Sequence, residues 1–128
     1  MADLLTPRPA VTEPTVADLL LDWDHLEWWV GNARAVTAWL TSGFGFAVTA
    51  YAGPETGVGD RVSYLLEAGD IRFVVTAGLA PDDEVTDHVR RHGDGVRHVA
   101  WRVADPAQAF EIATRNGAPA VAPPTTLT

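Results

Sequence analysis

The chain has 128 residues, of which 47% are hydrophobic and 20% are charged, a composition typical of one soluble globular domain. Seventeen acidic residues against nine basic ones give a net charge of −8, which argues against nucleic acid as a partner. The sequence has no cysteine, which excludes disulfides and thiolate metal sites, and its apolar stretches are too short to span a membrane. We therefore expect a cytoplasmic protein with a flexible lead at residues 1–20.

The first part of the chain, residues 21–78, predicts a strand, a helix and three further strands. Aromatic side chains are concentrated in residues 21–30, which favours a strand there. Asn32 can cap the following helix, and Gly43 suits the left-handed position at its end. The predicted apolar face of this helix consists of Val36, Trp39 and Leu40. Three strands are then expected, at residues 46–53, 60–68 and 71–78.

The second part of the chain repeats the beginning of the first. A connecting helix is predicted within residues 79–94, with acidic side chains at its start and basic ones at its end. A strand at residues 95–103 and a helix that begins at Asp105 then restart the pattern. A short strand is expected at residues 118–124. Residues 95–128 thus form an incomplete second module, because two further strands are needed to match the first.

This pattern, an α+β fold of paired βαβββ modules with the second one incomplete, resembles the vicinal oxygen chelate superfamily of glyoxalases, bleomycin resistance proteins and extradiol dioxygenases. The segments DHLEWWVGNA, GFGFAVTAYAGPET, SYLLEAGDIRFVVT and DHVRRHGDGVRHVAWRV are similar to the first half of the 4-hydroxyphenylpyruvate dioxygenases and the related hydroxymandelate synthases. The resemblance covers residues 22–124, and several motifs in the same order make it more specific than one short pattern.

The resemblance implies an enzyme of tyrosine catabolism that uses Fe(II) and O2 to decarboxylate and hydroxylate a small aromatic 2-oxoacid. In this family two His and one Glu hold the iron, and all three belong to the second half of the enzyme. The present chain resembles the first half, which supports the catalytic half and contributes to assembly. We therefore expect the isolated chain to be inactive. We also expect a homodimer, because the incomplete module leaves a sheet edge unpaired.

Two histidines occupy equivalent places in the two modules, His25 in the first strand and His98 in the strand at 95–103. The resemblance places metal ligands at such positions, so both are candidate ligands, and Glu27 is a weaker candidate for a third ligand or an orienting carboxylate. The alternative is a pair of partly buried, hydrogen-bonded histidines. The strand at 71–78, which would carry the third ligand, contains no Asp or Glu.

Two further histidines, His88 and His92, lie four residues apart on the connecting helix, a spacing that can hold a metal on one helix face. They have no third ligand in the sequence nearby, and their place at the helix end also fits ordinary surface histidines. The tryptophans fit either core packing or a pocket for an aromatic acid. Trp28 and Trp29 are successive and must face opposite sides of their strand.

Two other functions remain open beside the oxygenase. One is a stand-alone dimeric protein that binds a small aromatic ligand. The other is a metal-dependent isomerase or lyase that uses His25, His98 and a carboxylate from a partner chain.

Overall fold

The structure, a computed structural model, describes residues 13–126, so most of the predicted flexible lead lies outside the described residues. None of the helices in this range is long and apolar enough to cross a membrane. Short 3-10 helices are present at Val16–Leu19 and Pro54–Thr56. The main elements are β1 (Leu20–Trp29), α1 (Ala33–Phe44), β2 (Ala47–Ala52), β3 (Arg61–Ala68), β4 (Ile71–Gly78), α2 (Glu84–His92), β5 (Gly95–Val103) and α3 (Pro106–Arg115).

The strands form one sheet in the order β2-β3-β4-β1-β5. Strands β2, β3 and β4 are joined in antiparallel fashion, and β4 pairs with β1 in parallel. A two-residue turn connects β3 to β4, because Ala68 is paired with Ile71, and Gly69 adopts the positive φ of 57° that such a turn favours. The sequence predicted strands at residues 60–68 and 71–78, which leaves the same two residues between them. Helix α1 returns the chain after β1, which allows β4 to pair with β1 in parallel.

Helix α1 begins where the sequence predicted and ends later. The side chain of Asn32 accepts a hydrogen bond of 2.9 Å from the Ala35 N–H, as a capping residue does. Gly43 remains within the helix, and Gly45, with φ of 78°, is the left-handed residue at its end. The predicted apolar face was wrong in one member, since Trp39 is 62% exposed and packs against Phe44.

The hydrophobic core lies between α1 and one face of the sheet. Its buried members come from the loop after β1, from α1 and from strands β3 and β4. They are Val30, Ala33, Leu40, Leu66, Val75 and Ala77. Trp28 reaches this core and meets Phe73 edge-on at 5.5 Å. Since side chains alternate along a strand, the neighbouring residues Glu27 and Trp29 lie on the opposite face of the sheet.

Helix α2 is fixed to the end of β4 by an aspartate. The Asp83 carboxylate accepts hydrogen bonds from the N–H groups of Ala80, at 2.8 Å, and of Thr86, at 2.7 Å. Gly78 makes room for this arrangement, because a Cβ at that position would collide with the side chains of Asp83 and Thr86. The short loop between Gly78, the last residue of β4, and Glu84, the first residue of α2, is thus held in one conformation.

The chain divides into two compact units, one formed by Trp23–Trp101 and the other by residues 13–22 with 102–126. In the second unit, Asp105 caps α3 by accepting from the Gln108 N–H at 3.1 Å, and Ala109 and Ile112 are buried on that helix. The strand predicted at residues 118–124 was wrong. This segment contains three prolines, which have no N–H to donate to a sheet, and it has no strand.

Candidate functional site

Two of the predicted site residues, Glu27 on β1 and His98 on β5, meet directly. The Nδ1 atom of His98 lies 2.7 Å from Oε1 of Glu27. The Glu27 side chain is 21% exposed and that of His98 is 51% exposed, so the ring still reaches solvent. The carboxylate therefore orients an imidazole that is about half exposed.

A second contact fixes the other oxygen of Glu27. The hydroxyl of the fully buried Thr76 on β4 donates to Glu27 Oε2 at 2.8 Å, and Ser63 on β3 lies 2.7 Å from the same hydroxyl. A threonine hydroxyl has one hydrogen, so Ser63 must be the donor to Thr76. The hydrogen bonds run in one direction, from Ser63 through Thr76 to Glu27. We call Ser63, Thr76, Glu27 and His98 the cross-strand chain.

The cross-strand chain assigns a tautomer to His98. Both carboxylate oxygens of Glu27 accept hydrogen bonds, which requires that His98 carry a hydrogen on Nδ1. The other ring nitrogen, Nε2, is then an acceptor in the neutral ring. The sequence missed Ser63 and Thr76. A signal was available for Thr76, which is a polar residue in the otherwise apolar run FVVTA.

His25 has a different carboxylate. Its Nδ1 lies 2.6 Å from Oδ2 of Asp24, and Asp24 also contacts the guanidinium of Arg72 at 3.5 Å. Arg72 in turn binds Glu67 at 3.1 Å. The structure thus gives each predicted histidine ligand its own acidic partner rather than a shared one.

Trp29 lies beside the cross-strand chain and is 3% exposed. Its indole meets the imidazole of His98 at 5.5 Å and that of His88 at 5.3 Å, both edge-on. The guanidinium of Arg97 covers the indole at 5.0 Å from the ring centroid. A residue for which the sequence left core packing or an aromatic-acid pocket open therefore packs between two histidines and an arginine.

His88 and His92 are also in contact, with ring centroids 4.6 Å apart. Burial lowers the pKa of His88 below its ordinary value, and the neighbouring charges of His92 and Arg97 lower it further. The charges of Asp87 and Glu84 act in the opposite direction. The net result is that the neutral form of the His88 imidazole is favoured.

The residues present do not fit a three-ligand iron site. Among residues 13–126, no group of three or more His, Cys, Asp or Glu side chains is placed to hold a metal ion. Thr76 lies in β4, the strand that would supply a third ligand, and the oxygens of Glu27 already accept from His98 and Thr76. Metal binding by His25 and His98 alone stays a prediction.

Comparison with known proteins shows the family to which the fold belongs. The sequence profile of the Glyoxalase/Bleomycin resistance protein/Dioxygenase superfamily matches residues 23–128. A 4-hydroxyphenylpyruvate dioxygenase from Xenopus tropicalis is 40% identical over 105 residues, covering 81% of this chain and 27% of that protein. The 4-hydroxyphenylpyruvate dioxygenase from Pyricularia oryzae is 36% identical over 122 residues, covering 82% of this chain and 29% of that protein. The chain therefore spans less than a third of the length of these relatives.

Solved structures show the same relationship. A triple mutant of 4-hydroxymandelate synthase from Streptomyces coelicolor superimposes with a TM-score of 0.80 at 37% identity, over 84% of this chain and 31% of that one. A methylmalonyl-CoA epimerase from Mycobacterium tuberculosis shares the fold, with a TM-score of 0.64 at 18% identity. The α+β fold of vicinal oxygen chelate type is confirmed, and the chain belongs to the Glyoxalase/Bleomycin resistance protein/Dioxygenase superfamily.

Proposed function

We propose that the chain is part of the first half of an Fe(II)-dependent oxygenase of the 4-hydroxyphenylpyruvate dioxygenase type. The observation that carries this proposal is the unequal coverage of the alignments. The relatives of that name align with more than four fifths of the chain, yet the chain spans only 27–29% of the two compared above. The alignment with the hydroxymandelate synthase structure is similarly unequal, since it covers 84% of this chain and 31% of that one. The division into a first module, a connecting helix and a partial second module belongs to the same proposal.

In the complete enzyme, Fe(II) would activate O2 for the decarboxylation and hydroxylation of an aromatic 2-oxoacid. The lack of a three-ligand site in residues 13–126 supports a location of the iron ligands outside them. The role of the present chain is then to support the catalytic half. A cytoplasmic location and homodimerisation are further parts of this proposal. The proposal covers both enzyme types, because the dioxygenase and the mandelate synthase both align with this chain.

A chimaera tests the proposal. The aligned segment of the Xenopus tropicalis dioxygenase is replaced by that of the present chain, and oxygen uptake is measured with Fe(II), ascorbate and 4-hydroxyphenylpyruvate. We expect the chimaera to turn over substrate and the isolated chain to show no turnover. A chimaera that also carries Leu66→Asp is the control, since a charge in this fully buried position should prevent folding.

Two outcomes would contradict the proposal. One is turnover by the isolated chain, which would locate a complete active site within it. The other is a chimaera that folds, as judged by circular dichroism and gel filtration, but consumes no oxygen above the control.

A second candidate function is the stand-alone binding of a small aromatic ligand. The observation in its favour is the pair Trp23 and Trp101, whose rings are 6.0 Å apart and which are both more than half exposed. Exposed aromatic pairs are common anchors for flat ligands. Titration of 4-hydroxyphenylpyruvate against tryptophan fluorescence tests this candidate, with Trp23→Phe and Trp39→Phe as test and control variants. A signal change that persists in Trp23→Phe would remove the pair from consideration.

A further inference from the structure

Helix α2 carries two histidines on one flank of its last two turns. His88 and His92 are four residues apart, a separation that brings side chains of an α-helix together on one face. Their imidazole rings are 4.6 Å apart between centroids and inclined by 44°. Two imidazoles this close can direct ring nitrogens to one common point without a change in the helix.

His88 is held in place by Trp29. The indole meets the His88 ring edge-on, at 5.3 Å and an interplanar angle of 89°, and Trp29 is itself almost fully buried. One of the two rings is therefore fixed before any ligand arrives. His92 lies at the exposed end of the helix, next to Gly93, so the pair opens toward solvent.

The ring nitrogens of both histidines are unused. Across residues 13–126, the hydrogen bonds and ion pairs of histidine side chains involve His25 and His98, and neither His88 nor His92 takes part in one. This separates the pair from His25 and His98, each of which is already bonded to a carboxylate. Two adjacent imidazoles with free nitrogens are a donor set suited to a transition-metal ion.

We propose that His88 and His92 form a two-histidine site for a divalent transition-metal ion of the Ni²⁺, Cu²⁺ and Zn²⁺ group. The protein supplies two ligands and water supplies the others, since no third acidic or histidine side chain in the described part of the chain joins them. The bound ion links two successive turns of α2 and stabilises the end of that helix. This inference is independent of the oxygenase proposal.

The four histidines of the chain allow a complete test. Each one is replaced by alanine in the untagged full chain, and Ni²⁺ binding is measured by isothermal titration calorimetry. We expect one site in the wild type, equal affinity in His25→Ala and His98→Ala, and a loss of at least about tenfold in His88→Ala and His92→Ala, because a chelate becomes a single contact. Cu²⁺ should bind more tightly than Ni²⁺, as their general order of affinity requires.

His88→Ala also removes a ring that packs against Trp29, so a loss of binding in that variant has two causes and His92→Ala is the decisive variant. A measurement on the wild type adds an independent check, because paramagnetic Ni²⁺ should broaden the imidazole NMR signals of His88 and His92 at lower concentrations than those of His25 and His98. The inference is overturned if the wild type does not bind Ni²⁺, or if His92→Ala binds it as tightly. It is also overturned if His25→Ala or His98→Ala is the variant that loses Ni²⁺ affinity, a result that would instead support the metal site predicted at those residues.

Discussion

The two faces of strands β1, β3 and β4 differ in how they are held together. On the face toward α1, apolar side chains such as Leu66 and Val75 pack in a fully buried core. On the opposite face, Ser63, Thr76 and Glu27 form directed hydrogen bonds from strand to strand. Apolar contacts are non-directional and stabilise the fold, whereas the hydrogen bonds fix one orientation of one imidazole.

The hydrogen bonds of the polar face depend on the strand register. Ser63 is paired with Thr76 across the β3–β4 ladder, and Trp29 is paired with Thr76 across β1–β4. Glu27 lies two residues before Trp29 and so shares its face. A shift by one residue would move all these side chains to the wrong side of the sheet. The comparison therefore predicts large effects on stability from one face and effects on histidine chemistry from the other.

The largest effect is expected in the core. Leu66→Ala should lower the free energy of unfolding by about 2–5 kcal/mol, because Leu66 is fully buried and its truncation leaves a cavity. The matched control is Val48→Ala on β2, which is 46% exposed and should change stability by less than about 0.5 kcal/mol. Urea denaturation followed by circular dichroism measures both. Equal losses in the two variants would show that the core is not where the structure places it.

A smaller effect is expected from the middle of the cross-strand chain. Thr76→Val keeps the shape of a buried side chain but removes the hydroxyl that joins Ser63 to Glu27, which should cost about 1–3 kcal/mol. Thr41→Val on α1 is the control, since its hydroxyl bonds only to the Ala38 carbonyl of the same helix. Urea denaturation again measures the free energy of unfolding. If Thr76→Val lowered it no more than the control does, the hydrogen bonds of the cross-strand chain would not stabilise the fold.

The next effect concerns tautomers more than stability. Glu27→Gln should remove the preference of His98 for a hydrogen on Nδ1, because the amide no longer offers an acceptor to both His98 and Thr76. Asp24→Asn is the matched control and should alter His25 instead. Nitrogen chemical shifts of the imidazoles, measured by NMR, report the tautomer of each histidine. If Glu27→Gln left the His98 shifts unchanged, the assigned tautomer would be wrong.

Most of the fold could be predicted from the sequence because local patterns determine it. The aromatic run of β1, the Asn32 and Asp105 caps and the two-residue gap between β3 and β4 each act within a few residues, and all lie where they were predicted. The errors arose where two local signals competed. Gly43 was taken as the end of α1, but Gly45 is the left-handed residue. Trp39 was assigned to the apolar face of the helix by spacing, but it is exposed.

The site was harder to predict because it depends on which strands are neighbours. The sequence singled out Glu27 and His98 but could not show that they meet, since they are 71 residues apart. It also singled out His25, but not the carboxylate of Asp24 that contacts its ring. The contacts of Trp29 with His88 and Arg97 likewise depend on the position of α2 and on the place of β5 beside β1 in the sheet. No local sequence pattern encodes either of these.

The smallest effect is expected at Asp83, which lies in the loop between β4 and α2 rather than on either face of the sheet. Its hydrogen-bond partners, Ala80 and Thr86, are each three residues away in the sequence. Burial alone would raise the pKa of Asp83, but hydrogen bonds from Thr86 and Ala80 outweigh it and lower the pKa below 3.8. The charged form therefore contributes stability above pH 3.8, and this contribution is lost as the pH falls through the lower pKa of the folded state. Asp83→Asn keeps a capping side chain and removes only the charge.

We expect Asp83→Asn to be less stable than the wild type by about 0.3–1 kcal/mol at pH 7, as is typical for a charge at a helix N-terminus. The difference should shrink as the pH is lowered below 3.8, where the wild-type carboxylate also becomes neutral. Urea denaturation at a series of pH values measures it, with Asp82→Asn as the control because that side chain is exposed. If the difference in unfolding free energy between the wild type and Asp83→Asn stayed constant at every pH below 3.8, the charge of Asp83 would not be its cause. The capping contacts, rather than the charge, would then fix α2 to β4.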